Sequence, residues 1–164
     1  MSDARAWCFG DDVDTDILAP GLYMKGGIES LAAHCLETLD PDFAADLQPG
    51  DIIVAGCNFG MGSSREQAVM ALNHLNVGAV VAESFARIFF RNAINLALPV
   101  VTCAEARSIA PGDRLCLDPA RGVLENRTQH RVLACEPIPA HLLVMIADGG
   151  LLPHLKKKLK ARVA

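Results

Sequence analysis

Residues 52–82 read IIVAGCNFGMGSSREQAVMALNHLNVGAVVA, and the fold class turns on them. Ile52-Ile53-Val54-Ala55 is short, apolar and β-branched, the pattern of a strand buried on both faces. Ala68, Ala71, Leu72 and Leu75 then recur at helical spacing. Ser63 and Glu66 form the S-x-x-E pattern of a capping box, which predicts a helix starting at Ser63. Ala79-Val80-Val81-Ala82 reads as a second buried strand. Beyond it, Ser84 predicts the cap of a helix over 85–96, and Pro99–Cys103 a third strand. Strand–helix–strand–helix–strand is the signature of a parallel α/β unit.

The flanks are read the same way. Residues 5–9 predict a short strand ended by Gly10-Asp11-Asp12, and Asp14-Thr15-Asp16 a polar turn. Residues 21–28, with Gly21, Gly26 and Gly27, have the composition of a mobile loop, and 29–39 carry helical spacing. From Pro111 to Cys135 the pattern predicts short β-strands turning at Gly122. Pro139 suits the first turn of a helix ending before Gly149-Gly150, and a last helix runs from Leu152. No repeat or linker divides the chain, so one domain over 1–164 is expected.

Composition narrows the function classes. Of 164 residues, 51% are apolar and 21% charged, enough to bury a core without staples. A net charge of −4 gives no electrostatic ground for a nucleic-acid or anionic-membrane partner. The one basic run, Lys156-Lys157-Lys158-Leu159-Lys160, suits a solvated helix C-terminus. No apolar stretch is long enough to span a membrane, and no secretory leader pattern is seen. Cys8, Cys35, Cys57, Cys103, Cys116 and Cys135 form no C-x-x-C pair, and several sit in apolar runs. Buried, reduced thiols of a cytoplasmic protein are expected, and their spacing argues against a metal or iron–sulfur cluster held by this chain alone. The five histidines (34, 74, 130, 141, 154) show no ligand spacing.

The chemical information concentrates in Gly60-Met61-Gly62-Ser63-Ser64-Arg65. Paired glycines let a backbone turn sharply and approach a ligand. A helix start behind them offers free N–H groups and the positive dipole end. Two hydroxyls and a guanidinium on that turn suit a carboxylate or other oxyanion. The loop is not a Walker A motif, lacks the third glycine of a dinucleotide fingerprint, and is no G-x-S-x-G elbow. The bare pattern is equally satisfied by a well-capped helix after a glycine turn.

Asn58-Phe59-Gly60-Met61-Gly62-Ser63-Ser64-Arg65-Glu66 closely resembles the active-site loop of aconitase-superfamily swivelling domains. The resemblance extends to Gly10-Asp11-Asp12-Val13-Asp14-Thr15-Asp16, to Pro49–Val54, to Ala82–Asn95 and to Gly149-Gly150-Leu151-Leu152-Pro153, in order along nearly the whole chain. It is similar to small subunits of the isopropylmalate isomerase and homoaconitase type. The resemblance implies a three-layer β/β/α swivelling domain, an α/β fold with a central parallel or mixed sheet and flanking helices. It implies a large-subunit partner, in a heterodimer or heterotetramer, that carries a [4Fe–4S] cluster acting as Lewis acid. The implied reaction is dehydration of a hydroxy di- or tricarboxylate and rehydration at the neighbouring carbon. By position, Ser63 resembles the general base that takes the proton from substrate carbon. Ser64 and Arg65 resemble the groups that bind a substrate carboxylate and stabilise the serine alkoxide.

Departures bear on the substrate. Met61 stands where many members have Cys, and Gln67 where many have His. Isopropylmalate enzymes resemble Tyr-Leu-Val-Tyr at the substrate-reading loop and homoaconitases Tyr-Leu-Arg-Thr. Here that loop is Tyr23-Met24-Lys25-Gly26. Lys25 is either a cation for an acidic substituent or a solvated loop lysine. Asp14, Thr15 and Asp16 either orient Arg65 and the serine loop or form a self-bonded turn, with Asp16 expected near the site. Arg87 and Arg91, four apart on one helix face, read as structural or interface residues. Two functions stay open: a hydro-lyase small subunit, or a swivelling domain that holds a carboxylate without catalysis.

Overall fold

The structure, a computed structural model, describes residues 3–163. Strand β1 (Ala4–Cys8) leads to a short helix α1 (Thr15–Leu18), a 3-10 helix (Gly21–Gly26), α2 (Gly27–Ala33) and the one-turn α3 (Phe43–Asp46). The expected α/β unit follows: β2 (Ile52–Ala55), α4 (Glu66–His74), β3 (Ala79–Ala82), α5 (Arg87–Asn95) and β4 (Val100–Thr102). A 3-10 turn (Ala106–Ser108) precedes β5 (Arg114–Asp118), β6 (Val123–Asn126) and β7 (Arg131–Ala134). Helices α6 (Ala140–Ala147) and α7 (Leu151–Val163) close the chain. No helix among the described residues is long and apolar enough to cross a membrane.

The seven strands are ordered β4-β3-β2-β1-β5-β6-β7. The first four run parallel, with Ala6 opposite Ile52, Ile53 opposite Val80 and Val81 opposite Val101. From β1 through β5, β6 and β7 the pairing is antiparallel. Side chains alternate across a strand, and here the alternation divides two cores. Ile53, Ala55, Val80 and Ala82 pack with Ala68, Leu72, Phe89 and Ala93 of the helices. Ile52, Val54, Ala79 and Val81 pack instead with Leu115, Leu124 and Leu133 of the antiparallel strands. The sheet therefore curls back on itself, and the layers run helices, parallel strands, antiparallel strands. That is the three-layer β/β/α arrangement implied by the resemblance, and it explains why β2 and β3 are apolar at every position.

Two flanking expectations need correction. The helix expected over 29–39 stops at Ala33. Buried Leu36 takes a left-handed φ of 60° and donates its N–H to Ile17 O at 3.0 Å, so a tertiary contact ends the helix. The glycine-rich segment expected as a mobile loop follows 3-10 geometry from Gly21 to Gly26. Tyr23 anchors it by stacking on His34, ring centroids 3.5 Å apart.

Asp51, just before β2, ties the sheet's start together. Its buried carboxylate accepts from Trp7 Nε1 (2.9 Å), Arg5 N (3.1 Å) and Gln48 N (3.0 Å). Removing it orphans three donors, one of them a buried indole N–H. Asp51→Ala is expected to lower stability by about 2–4 kcal/mol, read from the urea midpoint at constant slope.

Candidate active-site loop

Ligand sites of open α/β sheets lie beyond the carboxyl ends of the strands. Here the connections after β1, β2 and β3 all leave that edge, and the serine loop is the middle one. Its backbone is paired on both sides. Phe59 forms a parallel bridge with Phe85, and Met61 one with Asp14. Phe59 N donates to Ser84 O (3.0 Å), Gly60 N to Val13 O (2.7 Å), and Met61 O accepts from Thr15 N (2.8 Å). Phe59 is fully buried, with its ring edge-on to Phe89 at 5.2 Å. Gly60 has φ 79°, and a Cβ there would lie 2.1 Å from Phe89 Cγ. Only glycine satisfies both the turn and the close approach.

This pairing overturns both predicted caps. Helix α4 starts at Glu66 rather than Ser63, with Arg65 at the cap position and no side-chain capping bond. Gly62, at φ 99°, and the Arg65 N–H to Ser63 O bond (2.8 Å) make the serine a turn residue. Ser84 does not cap the next helix either. Helix α5 begins at Arg87, and Ser84 Oγ accepts from Asn58 N at 2.8 Å. Both hydroxyls are used by, or freed by, the loop.

Ser63 is exposed, with its polar atoms oriented from one side. Its N–H donates to Thr15 Oγ1 at 3.1 Å, and its Oγ lies 3.3 Å from the same oxygen. Thr15 is 2% exposed and so cannot follow the serine into solvent. Arg65 donates through Nη1 to Asp16 Oδ1 and to Ala19 O (3.2 Å). Both contacts fall on one amino group, which leaves the Nε–Nη2 edge of the fork for a planar carboxylate. The N–H groups of Glu66 and Gln67, in the first turn of α4, precede that helix's own hydrogen-bond ladder. The arrangement is an exposed hydroxyl, a braced guanidinium and free donors around one turn, open to solvent on one side.

The residues singled out by sequence are not all brought together. Ser63, Arg65 and Asp16 join one contact set with Thr15. Of the three neighbours read as either brace or turn, Asp14 takes the turn role, capping α1 through Ile17 N at 2.9 Å. Thr15 and Asp16 take the brace role. Ser64 is exposed and enters no hydrogen bond to this set among the described residues. Tyr23 is held against α2 by its stack on His34, and burial followed by the nearby Glu37 carboxylate pushes its hydroxyl pKa up. Lys25 is exposed on the last 3-10 turn and enters no ion pair among the described residues. Arg87 and Arg91 are exposed on α5.

Sequence reasoning missed a second polar set at the root of the loop. Asp11 Oδ1 accepts from Cys57 N (2.7 Å), Cys57 Sγ donates to Glu83 Oε2 (3.2 Å), and Arg107 pairs with both carboxylates. Cys57 is exposed, which corrects the expectation of buried thiols for that residue; Cys35, Cys103 and Cys116 are buried as expected. Burial pushes the Cys35 thiol up to about 12. Asp11, Cys57 and Glu83 are the one group of three candidate metal donors among the described residues. It holds a single thiol, and Arg107 already occupies it. Iron–sulfur clusters are held by several thiolates, so this donor set does not fit one.

A swivelling domain with this loop defines a class, and comparison with known proteins agrees. The aconitase C-terminal domain family matches residues 32–105. A 3-isopropylmalate dehydratase small subunit of Archaeoglobus fulgidus is 50% identical, over 93% of both chains. The methanogen homoaconitase small subunit of Methanothermobacter thermautotrophicus is 44% identical, covering 98% of this chain and 94% of that one. The crystal structure of 3-isopropylmalate dehydratase from Methanocaldococcus jannaschii superposes with a TM-score of 0.92 at 40% identity, covering 98% of this chain and 96% of that one. The chain belongs to the aconitase superfamily, in the family of dehydratase small subunits.

Gly60→Ala tests the loop's packing. A left-handed φ and a clash with Phe89 together are expected to cost about 2–4 kcal/mol, read from thermal or urea unfolding.

Proposed function

We propose that this chain is the small subunit of a hydro-lyase that isomerises a hydroxy dicarboxylate by dehydration and rehydration, with 3-isopropylmalate the first candidate. The observation that carries the reading is the Ser63 hydroxyl, which is left exposed because no helix uses it as a cap, beside a guanidinium braced on one edge only. The open side of the site supports completion by a second surface, that of a large subunit. The relatives' description as small subunits supports the same partner. A [4Fe–4S] cluster is assigned to that partner in this reading; the one group of three candidate metal donors among the described residues of this chain holds a single thiol and does not fit one.

In this reading Ser63 Oγ takes the proton from the substrate carbon. An unassisted hydroxyl is a feeble base. The nearby Arg65 cation and the helix start favour its ionised form. The Thr15 hydroxyl fixes the rotor of Ser63 by hydrogen bonding, so the lone pair points in one direction. The open Nε–Nη2 edge of Arg65 holds a substrate carboxylate bidentately, and Ser64 adds a hydroxyl on the same turn. Holding the carboxylate orients the C–H toward the oxygen, and such positioning is a large share of catalysis. Asp16 and Ala19 O keep Arg65 from swinging across the serine.

Lys25 supports a second reading. It lies on the segment that Tyr23 pins to α2, and its ammonium has no ion-pair partner among the described residues. A cation there suits a substrate with an additional acidic group, as the name of the homoaconitase relative suggests for that protein.

The test is anaerobic co-expression with a large-subunit partner and an ultraviolet hydratase assay over isopropylmalate, homoaconitate, cis-aconitate and methyl-substituted malates. Turnover is expected to need both chains and to fall by at least about 1,000-fold in Ser63→Ala with complex formation intact. No turnover with a confirmed cluster-loaded partner would favour a non-catalytic carboxylate-binding module. Lys25→Val is expected to shift the kcat/KM ratio of acidic over apolar substrates by about tenfold or more. An unchanged ratio would show that Lys25 is only solvated.

A further inference from the structure

The serine loop is entered through Gly56 and Cys57, and its path beyond them turns left-handed at three positions. Asn58, Gly60 and Gly62 have φ of 60°, 79° and 99°. Glycine and asparagine adopt such backbone readily, so the loop's own preferences do not hold it in one path and its surroundings must. Downstream, Val13, Thr15 and Ser84 supply the constraint through the hydrogen bonds described above. Upstream, the anchor is Asp11, whose Oδ1 accepts from Cys57 N at 2.7 Å. Asp11 is itself half-exposed and needs a partner to hold that pose.

Arg107 is that partner, delivered from the 3-10 turn after β4. Its Nη2 donates to the same Oδ1 of Asp11, and its Nε donates to Glu83 Oε2 at 2.8 Å. The Cys57 thiol donates to the same Glu83 oxygen. The set lies directly on the loop's root. A Cβ added at Gly56 would stand 2.0 Å from Asp11 Oδ1 and 3.1 Å from Arg107 Nη2.

We infer that Arg107 is a positioning residue for the serine loop, joining Asp11 of the β1 connection to Glu83 of the β3 connection so that the Gly56–Cys57 backbone between them is held in one place. The catalytic consequence rests on the reading of Ser63 as the reacting group. Arginine is suited because its planar fork reaches two carboxylates at once, whereas lysine is a point charge that serves one well. Its guanidinium, followed by the Cys57 donors, holds both carboxyls below the ordinary range. Without it, two carboxylates would face each other over one stretch of backbone, and their repulsion would part the connections on either side. Arg107 is more than half exposed, and exposed ion pairs contribute little to global stability. The effect is therefore one of placement.

The test compares Arg107→Ala, Arg107→Lys and the double variant Arg107→Ala/Glu83→Gln, both as the full-length chain alone and in the complex with the large subunit. In Arg107→Ala, amides from Cys57 to Ser63 are expected to exchange about tenfold faster, while β2 and β3 keep their protection. In the complex, kcat is expected to fall by about 10- to 100-fold with KM changed less than about threefold, the mark of a misplaced reacting group. Neutralising Glu83 in the double variant restores part of both losses, and Arg107→Lys falls between wild type and Arg107→Ala. Unchanged exchange at Cys57–Ser63 would overturn the inference, as would a loosened loop with unchanged kcat. If the wild-type complex turns over no substrate, the functional reading falls while the exchange data alone decide the role of Arg107.

Discussion

The structure around the site depends on the backbone of residues 58–62 being paired on both flanks, as a short extra strand laid between the β1 and β3 connections. Phe59 and Met61 each form a parallel bridge, to Phe85 and Asp14 respectively. The buried Phe59 ring against Phe89 supplies the apolar anchor, and Gly60 gives the room for it. Once that backbone is committed, the downstream helices have no choice about where to start. Helix α4 waits until Glu66, and α5 until Arg87.

The chemical consequence is that side chains with helix-capping identities are released to other partners. A capping hydroxyl is occupied and turned inward. Ser63 instead meets Thr15 and solvent, and Ser84 secures the backbone of Asn58. The proposed reading asks that the serine be both accessible and oriented, and the exposed Ser63 with the buried Thr15 beneath it has both properties. Arg65 is treated in the same way. Asp16 and Ala19 hold one amino group and leave the opposite edge of the fork open.

The two halves of the molecule contribute differently. The parallel strands bring the three connections to one edge, while the antiparallel strands cover the reverse face and close the second core. That second layer lets β2 and β3, which carry the site, be apolar and buried throughout. Arg107 shows how the edge strand also reaches the site. It follows β4, yet its guanidinium lies between residues that follow β1 and β3.

The sequence by itself determined the strand–helix–strand order, because buried strands and amphipathic helices leave periods of two and about 3.6 in any chain. The chemical reading of the loop came from its resemblance to the aconitase superfamily over nearly the whole chain, since serine, arginine and paired glycines on one turn suit a capped helix equally well. Asp16 near Arg65 was legible through the same resemblance, and the structure pairs the two. Tertiary structure decided what local pattern could not. The S-x-x-E pattern at Ser63–Glu66 satisfies a helix cap locally, but pairing with residues 13–15, almost fifty positions away, competes for the same backbone and wins. Leu36 ended its helix for an equally non-local reason, its N–H being taken by Ile17. The contacts from Thr15 to Ser63 and from Arg107 to Asp11 span 48 and 96 residues. Hydrogen bonds of that reach leave no periodic trace in a sequence, because they are set by which strand ends the fold brings to one edge.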